Sequence, residues 1–308
     1  MTTAFVFPGQ GSQSVGMLAE LAEKFPVIEA TFAQASEVLG YDLWALVQNG
    51  PAEDLNATDK TQPAMLASGV AVWRLWQEQG GEQPTVMAGH SLGEYTALVC
   101  AGAIAFPEAI KLVEARGRFM QNAVSAGEGA MAAILGLDDD AVLALCEANA
   151  KGEVLEAVNF NTPGQVVIAG TAAAVNRAVE AAPDAGAKKA VLLPVSVPSH
   201  CALMKPAAEQ LQKMLAEVEI KAPSIPVIHN VDVVTLNDAD KIKDALVRQL
   251  YQPVQWVKTI NKMLEEGVDQ VVECGPGKVL AGLNKRIARR TPVYPVVDIA
   301  TFEKALAK

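Results

Sequence analysis

The sequence predicts an α/β fold in two bodies. The larger is built around a largely parallel sheet, and a smaller one of βαββαβ order is inserted into it. Three observations lead there. Apolar strand-like runs alternate with amphipathic helix-like segments almost throughout. Two of the runs end in Gly-rich loops, and a third turns abruptly into a helix. The middle of the chain follows the order of a ferredoxin-like split unit.

Taken in order, Phe5 to Phe7 reads as the first strand and ends in Pro8-Gly9-Gln10-Gly11. Thr85 to Ala88 is the second. It feeds Gly89-His90-Ser91-Leu92-Gly93, followed by a helical stretch from Glu94 to Ala101. Another helix runs from about Pro107 to Gln121. Ser125-Ala126-Gly127-Glu128-Gly129 reads as a hinge into the small body. Within it come strand Ala130–Leu135, helix Asp138–Asn149, strands Val154–Phe160 and Gln165–Ala169, helix Ala172–Ala182 and strand Ala190–Val195. The chain then re-enters the larger body, with a helix from Ala202 onward, strand Val271–Glu273, the loop Gly275-Pro276-Gly277 and a helix from about Lys278 to Ala288. The expected division is 1–124 with 198–308 against 125–197, with the site in the cleft between them.

A chain of 308 residues can bury a large core, and its 51% hydrophobic and 19% charged content is that of a globular protein. The net charge of −10 argues against nonspecific binding to nucleic acid or an anionic membrane over the whole surface. Cys100, Cys146, Cys201 and Cys274 are far apart and form no Cys-x-x-Cys pair, so neither a zinc site nor a disulfide framework is indicated. A reducing, cytoplasmic setting fits. The opening Met1-Thr2-Thr3 runs into strand-like sequence without a signal-peptide pattern, and the longest apolar stretches are broken by Glu, His or Arg, so no membrane span is expected. The Gly-rich loops lack the Lys-Ser or Lys-Thr ending of a phosphate-gripping loop.

Gly-x-Ser-x-Gly is a weak signal alone, and an ordinary Gly turn is the alternative. Between a strand and a helix it becomes a nucleophile elbow, which lifts the Ser91 hydroxyl clear of the backbone for covalent acyl transfer. A hydroxyl needs a base, and the chain has three histidines. His90 adjoins the nucleophile and suits a positional role. His229 fits a strand histidine. His200, after Val197-Pro198-Ser199 where the chain returns to the larger body, is the favoured base. No acid between Ser91 and His200 stands at a strand end of the larger body, so a Ser–His dyad is expected, its imidazole oriented by a backbone carbonyl. The oxyanion needs two donors: the Leu92 amide and a group from the Gln10 loop.

Arg116 lies on the apolar stripe formed by Ala109, Leu112, Val113, Phe119 and Met120. Burying a guanidinium without a partner is costly, and no acid is available one turn away. Its partner is either a distant acid or the substrate. A substrate partner would be a carboxylate, which a planar guanidinium grips with two parallel hydrogen bonds.

With these residues in place the chain resembles the malonyl-CoA:acyl carrier protein transacylases of bacterial fatty acid synthesis. The likeness runs from Phe7-Pro8-Gly9-Gln10-Gly11-Ser12-Gln13 through Thr61-Gln62-Pro63-Ala64, Gly89–Tyr95, Arg116-Gly117 and Pro198-Ser199-His200. It continues in Asn230-Val231, Gln249–Trp256 and Gly275–Leu280. The resemblance implies a hydrolase-like α/β core with a ferredoxin-like insert. It implies Ser91 as nucleophile, His200 as base, Arg116 on the malonyl carboxylate and an oxyanion pocket at Gln10 and Leu92. By position, Gln249 would supply the carbonyl that orients the histidine, and Asn161 and Met120 would lie near the pocket. Malonyl-CoA and acyl carrier protein are the implied partners, with no metal or redox cofactor and a monomer expected. Carrier protein is acidic in such systems, so Lys188-Lys189 or Lys285-Arg286 with Arg289-Arg290 could receive it. A serine hydrolase of thioesterase or lipase type is the rival reading. A non-catalytic acyl-binding protein is a remoter one, disfavoured by the presence of both Ser91 and His200.

Overall fold

The computed structural model describes residues 2–195 and 197–308. Ser196, inside the predicted small body, lies outside the described residues. The described strands are β1 (Thr3–Phe7), β2 (Val86–Gly89), β3 (Gly129–Leu135), β4 (Leu155–Thr162), β5 (Gln165–Thr171), β6 (Lys189–Leu192), β7 (Val227–Ile228), β8 (Gln270–Cys274) and β9 (Val293–Val296). They form a five-stranded sheet of order β7-β2-β1-β8-β9 and a four-stranded sheet of order β4-β5-β3-β6. Every pairing in the first is parallel.

Strand β1 shows why the first sheet sits inside the molecule. All five residues are buried. Phe5 and Phe7 point into one core, where Trp73 and Trp76 meet the Phe5 ring edge-on at centroid distances of 5.5 and 5.0 Å. Ala4 and Val6 point into the other, beside Val86, Ile228 and Trp256. A strand apolar on both faces needs helices above and below, as parallel sheets have. The carboxyl ends of β1, β2 and β8 therefore emerge side by side at one rim, where open α/β sheets place their ligands.

The second sheet is antiparallel throughout, and its order is that of a ferredoxin-like unit. Its helices, Asp139–Ala150 and Ala172–Ala181, cover one face through Ala132, Ile134, Leu145 and Val175. The opposite face carries Met131, Val158, Val167 and Ala169, and it turns toward the first sheet. Main-chain hydrogen bonds join β4 to the larger body: Phe160 N–H donates to the Val254 carbonyl at 3.0 Å, and Val254 N–H to that of Val158 at 2.9 Å.

The last small-body strand is shorter than the predicted Ala190–Val195. It ends at Leu192, because Pro194 has no N–H to continue the ladder after Leu193 donates to Met131. The edge strands of the parallel sheet are β7, which ends just before His229, the expected strand histidine, and β9, which the sequence reading did not include. Among the described residues no helix is long and apolar enough to cross a membrane.

Candidate active site

The elbow forms where β2 ends. Ser91 has φ 51° and ψ −108°, a strained conformation for a residue with a side chain. Main-chain bonds hold it there: His90 N–H donates to the Phe7 carbonyl at 3.0 Å, and Ser91 N–H to Asn230 Oδ1 at 2.8 Å. Position 93 has to be glycine, since a Cβ there would collide with the Phe7 carbonyl. Gly9 approaches the elbow closely as well, where a Cβ would lie 2.5 Å from the His90 oxygen. The Gln10 loop therefore lies directly against the nucleophile turn.

Ser91 Oγ and His200 Nε2 are 2.8 Å apart. His200 Nδ1 lies 2.6 Å from the Gln249 carbonyl oxygen, which fixes Nδ1 as the protonated nitrogen and leaves Nε2 free to accept. Among the described residues no carboxylate touches the ring; the geometry is that of a dyad with a carbonyl orienter. Burial, and next to it the Arg116 charge, lower the His200 pKa to about 3. The Gln249 bond acts in the opposite direction. The imidazole is therefore neutral, and able to accept a proton, at any ordinary pH.

Arg116 is 1% exposed. Among the described residues it has no ion pair with a distant acid. Its Nη1 donates to Gln62 Oε1 at 2.7 Å, and its Nη2 to Gln249 Oε1 at 3.0 Å and to Ser91 Oγ at 3.3 Å. The guanidinium lies over the Tyr95 ring, 5.2 Å from its centroid. Three acceptors for five N–H groups leave donors over, and Nε has no partner. A buried cation held by neutral amides and a hydroxyl, with no anion paired to it among the described residues, keeps its full charge for an incoming anion.

A cavity of about 210 Å³ opens over these groups. Gln10, Leu92, Arg116, Met120 and Asn161 all line it, as do Ser91 and His200. Its roof is apolar, with Met131 and Val167 from the small sheet and Leu193 and Val195 beyond it. The Gln10 and Leu92 main-chain N–H groups have no acceptor among the described residues, as an oxyanion pocket requires. His90 Nε2 lies 2.8 Å from Asn161 Oδ1, a contact from the elbow to β4. Burial lowers the His90 pKa, with the Asn161 bond opposing.

Gln249, expected to supply the carbonyl that orients the histidine, is fully buried behind the cavity wall rather than on it. Its side chain and carbonyl are taken up by Arg116, Ser91, Glu94 and His200. Three further residues of this network carried no assigned part in the sequence reading: Gln62, Asn230 and Glu94. Gln62 and Asn230 are unremarkable as sequence. Glu94 did offer a signal, as a carboxylate in an otherwise apolar helix, Leu92–Cys100.

The model of the acyl transferase domain family matches residues 4–301. A malonyl CoA-acyl carrier protein transacylase of Salmonella typhimurium is 59% identical over 305 residues, covering 99% of both chains. A solved acyl carrier protein S-malonyltransferase from Vibrio cholerae superposes with TM-score 0.97 at 62% identity, covering 99% of this chain and all of that one. A type II PKS acyl-carrier protein in complex with its malonyl-transacylase matches with TM-score 0.99 at 57% identity, covering 100% of this chain and 99% of the other. With an elbow serine, an orienting carbonyl behind its histidine and an alignment along nearly its whole length, the chain belongs to the malonyl-CoA:acyl carrier protein transacylase family of acyl transferase domains.

Proposed function

We propose that the chain is an acyl carrier protein S-malonyltransferase. It moves malonyl from malonyl-CoA to the phosphopantetheine thiol of an acyl carrier protein in fatty acid biosynthesis, in a cytoplasmic setting. The observation that carries this is Arg116, a buried cation with donors to spare, 3.3 Å from the hydroxyl that His200 can deprotonate. The reacting cleft lies between a large body, 1–124 with 198–308, and a small one, 125–197.

In the first half-reaction Ser91 Oγ attacks the thioester carbonyl while His200 Nε2 takes its proton. The Gln10 and Leu92 amides stabilise the oxyanion, and the intermediate collapses as the CoA sulfur leaves with the proton from His200. Arg116 holds the distal carboxylate, which places the reacting carbonyl at Oγ. In the second half His200 takes the proton of the carrier thiol, whose sulfur attacks the ester. Ser91 Oγ leaves and is reprotonated. No electron is gained or lost, so the chemistry needs no redox cofactor, and the proton and the oxyanion are both handled by protein groups, without a metal. A lipase-type hydrolase would have no use for Arg116, since its acyl chain ends in no carboxylate.

Intact-protein mass spectrometry after mixing with malonyl-CoA, methylmalonyl-CoA and acetyl-CoA in turn tests the reading. One malonyl adduct is expected, lost in Ser91→Ala. Release of free malonate faster than transfer to a carrier thiol would favour the hydrolase instead.

The electrostatics give a pH prediction with a definite sign. In the free protein the kcat/KM of Ser91 acylation carries no imidazole limb between pH 5 and 8, because the His200 pKa is near 3. A bound malonyl carboxylate neutralises Arg116, the second cause of that depression, so protonated His200 becomes easier to form. The acid limb of kcat, which reports the complex, therefore lies above that of kcat/KM. Superimposable limbs would show that Arg116 does not meet a negative charge.

Lys188, Lys189, Lys285, Arg286, Arg289 and Arg290 are all exposed. If they receive an acidic carrier protein, raising the salt concentration raises its apparent KM while leaving malonyl-CoA loading unchanged. A salt-independent KM would place docking elsewhere.

A further inference from the structure

Behind the cleft, away from any substrate, Glu94 is fully buried. Its Oε1 lies 2.7 Å from His229 Nδ1. Its Oε2 accepts the Asn230 N–H and Gln249 Nε2, each at 2.9 Å. A carboxylate out of water needs such donors, and here they belong to the scaffold of the elbow. Gln249 Nε2 donates also to the Ser91 carbonyl at 3.0 Å. With its nitrogen committed on that side, the planar amide must turn Oε1 the other way, where it accepts from Arg116 Nη2 at 3.0 Å. Reversing the amide would press N–H against guanidinium N–H at one end and oxygen against carboxylate at the other. Glu94 thus decides which end of Gln249 the arginine meets.

We propose that Glu94 is a positioning residue for acyl-group selection. Through the Gln249 amide it aims Arg116 into the cleft, without touching a substrate itself. The inference rests on Arg116 receiving the acyl carboxylate. Gln62, Gln249 and Ser91 together fix the guanidinium plane. Removing the Gln249 acceptor leaves it free to rotate about the remaining two.

The test compares Ser91 acylation rates with malonyl-CoA and acetyl-CoA. Both substrates use Ser91 and His200, but only malonyl uses Arg116, so a general structural defect lowers both rates equally. Glu94→Ala is expected to lower the malonyl-to-acetyl ratio by about tenfold or more, the scale of losing one charged hydrogen bond. Glu94→Gln should restore the ratio. Its oxygen can face Asn230 and Gln249 while its nitrogen faces His229 Nδ1, and His229 Nε2, which has no partner, can carry the ring proton. Gln249→Met should show the same loss as Glu94→Ala, and the double variant no more than either. Equal falls for both acyl groups, additive losses in the double variant, or a Glu94→Gln protein as defective as Glu94→Ala would each overturn the proposal. Where Glu94→Ala does not fold, Glu94→Asp withdraws the carboxylate by one methylene and should lower the same ratio by a smaller factor; an unchanged ratio would overturn the proposal. Arg116→Ala run alongside separates the two failures. If it leaves the ratio unchanged, the reading of Arg116 falls and this inference with it. If it collapses the ratio while Glu94→Ala does not, only the role of Glu94 falls.

Discussion

His200→Ala is expected to slow malonylation of Ser91 by about 10²–10⁴-fold, the usual share of a positioned general base. No neighbour can take over. Arg116 Nη2, the other group at Ser91 Oγ, is a donor. His90 Nε2 is engaged with Asn161, and His229 Nδ1 with Glu94. Both half-reactions pass through the same imidazole, so loading from CoA and delivery to carrier protein should fall together. The loss should appear in kcat and kcat/KM alike, since the ring acts on the transition state. Rapid-quench intact-mass measurement of the Ser91 adduct checks this. A rate within tenfold of the parent would mean that the proton leaves Ser91 by another route.

Arg116→Ala carries the second large effect, on choice of substrate. Hydrogen bonds to a charged group contribute about 1.5–3 kcal/mol each, and the variant forfeits two of them to the malonyl carboxylate. That is about 10²-fold or more in kcat/KM for malonyl-CoA. Acetyl-CoA, which presents only a methyl group there, should be used no more slowly than before. Lysine will not rescue the arginine, because one ammonium cannot engage two amide oxygens and a carboxylate in a single plane. The same variant removes a cation beside His200, so the imidazole pKa rises from about 3 and the acid limb moves to higher pH. A malonyl preference unchanged by the substitution would remove the case for a carboxylate grip.

What the sequence made legible follows from what is locally anomalous. Ser91 announced itself through two glycines between a strand and a helix, and Arg116 through a charge on an apolar stripe. The small body was readable because its strands are short, bounded and regularly spaced, and because its βαββαβ order admits a familiar sheet. Other features had no local signature. Gln62 and Asn230 are ordinary amides whose partners, Arg116 and Ser91, lie 54 and 139 residues away in the chain. The side-chain part of Gln249 was hidden behind its carbonyl, which the family resemblance alone had suggested. Glu94 was visible as an oddity, yet nothing in the pattern said that its carboxylate turns inward to an amide 155 residues later. Strand β7, two residues long, surfaced only through the reading of His229 as a strand histidine, and the alternation of β9 is interrupted by Pro295.

The cleft takes its two walls from different sheets. Every support of Ser91 named above, from Phe7 to Asn230 and Gln249, comes from the parallel one or from segments packed against it, whereas Met131 and Val167 overhead belong to the antiparallel one. Ceiling and machinery can therefore be altered independently. A mutant library confined to those overhead positions could remodel the room around an acyl chain and leave the chemistry beneath it intact, which makes this architecture a ready chassis for recruiting unfamiliar extender units.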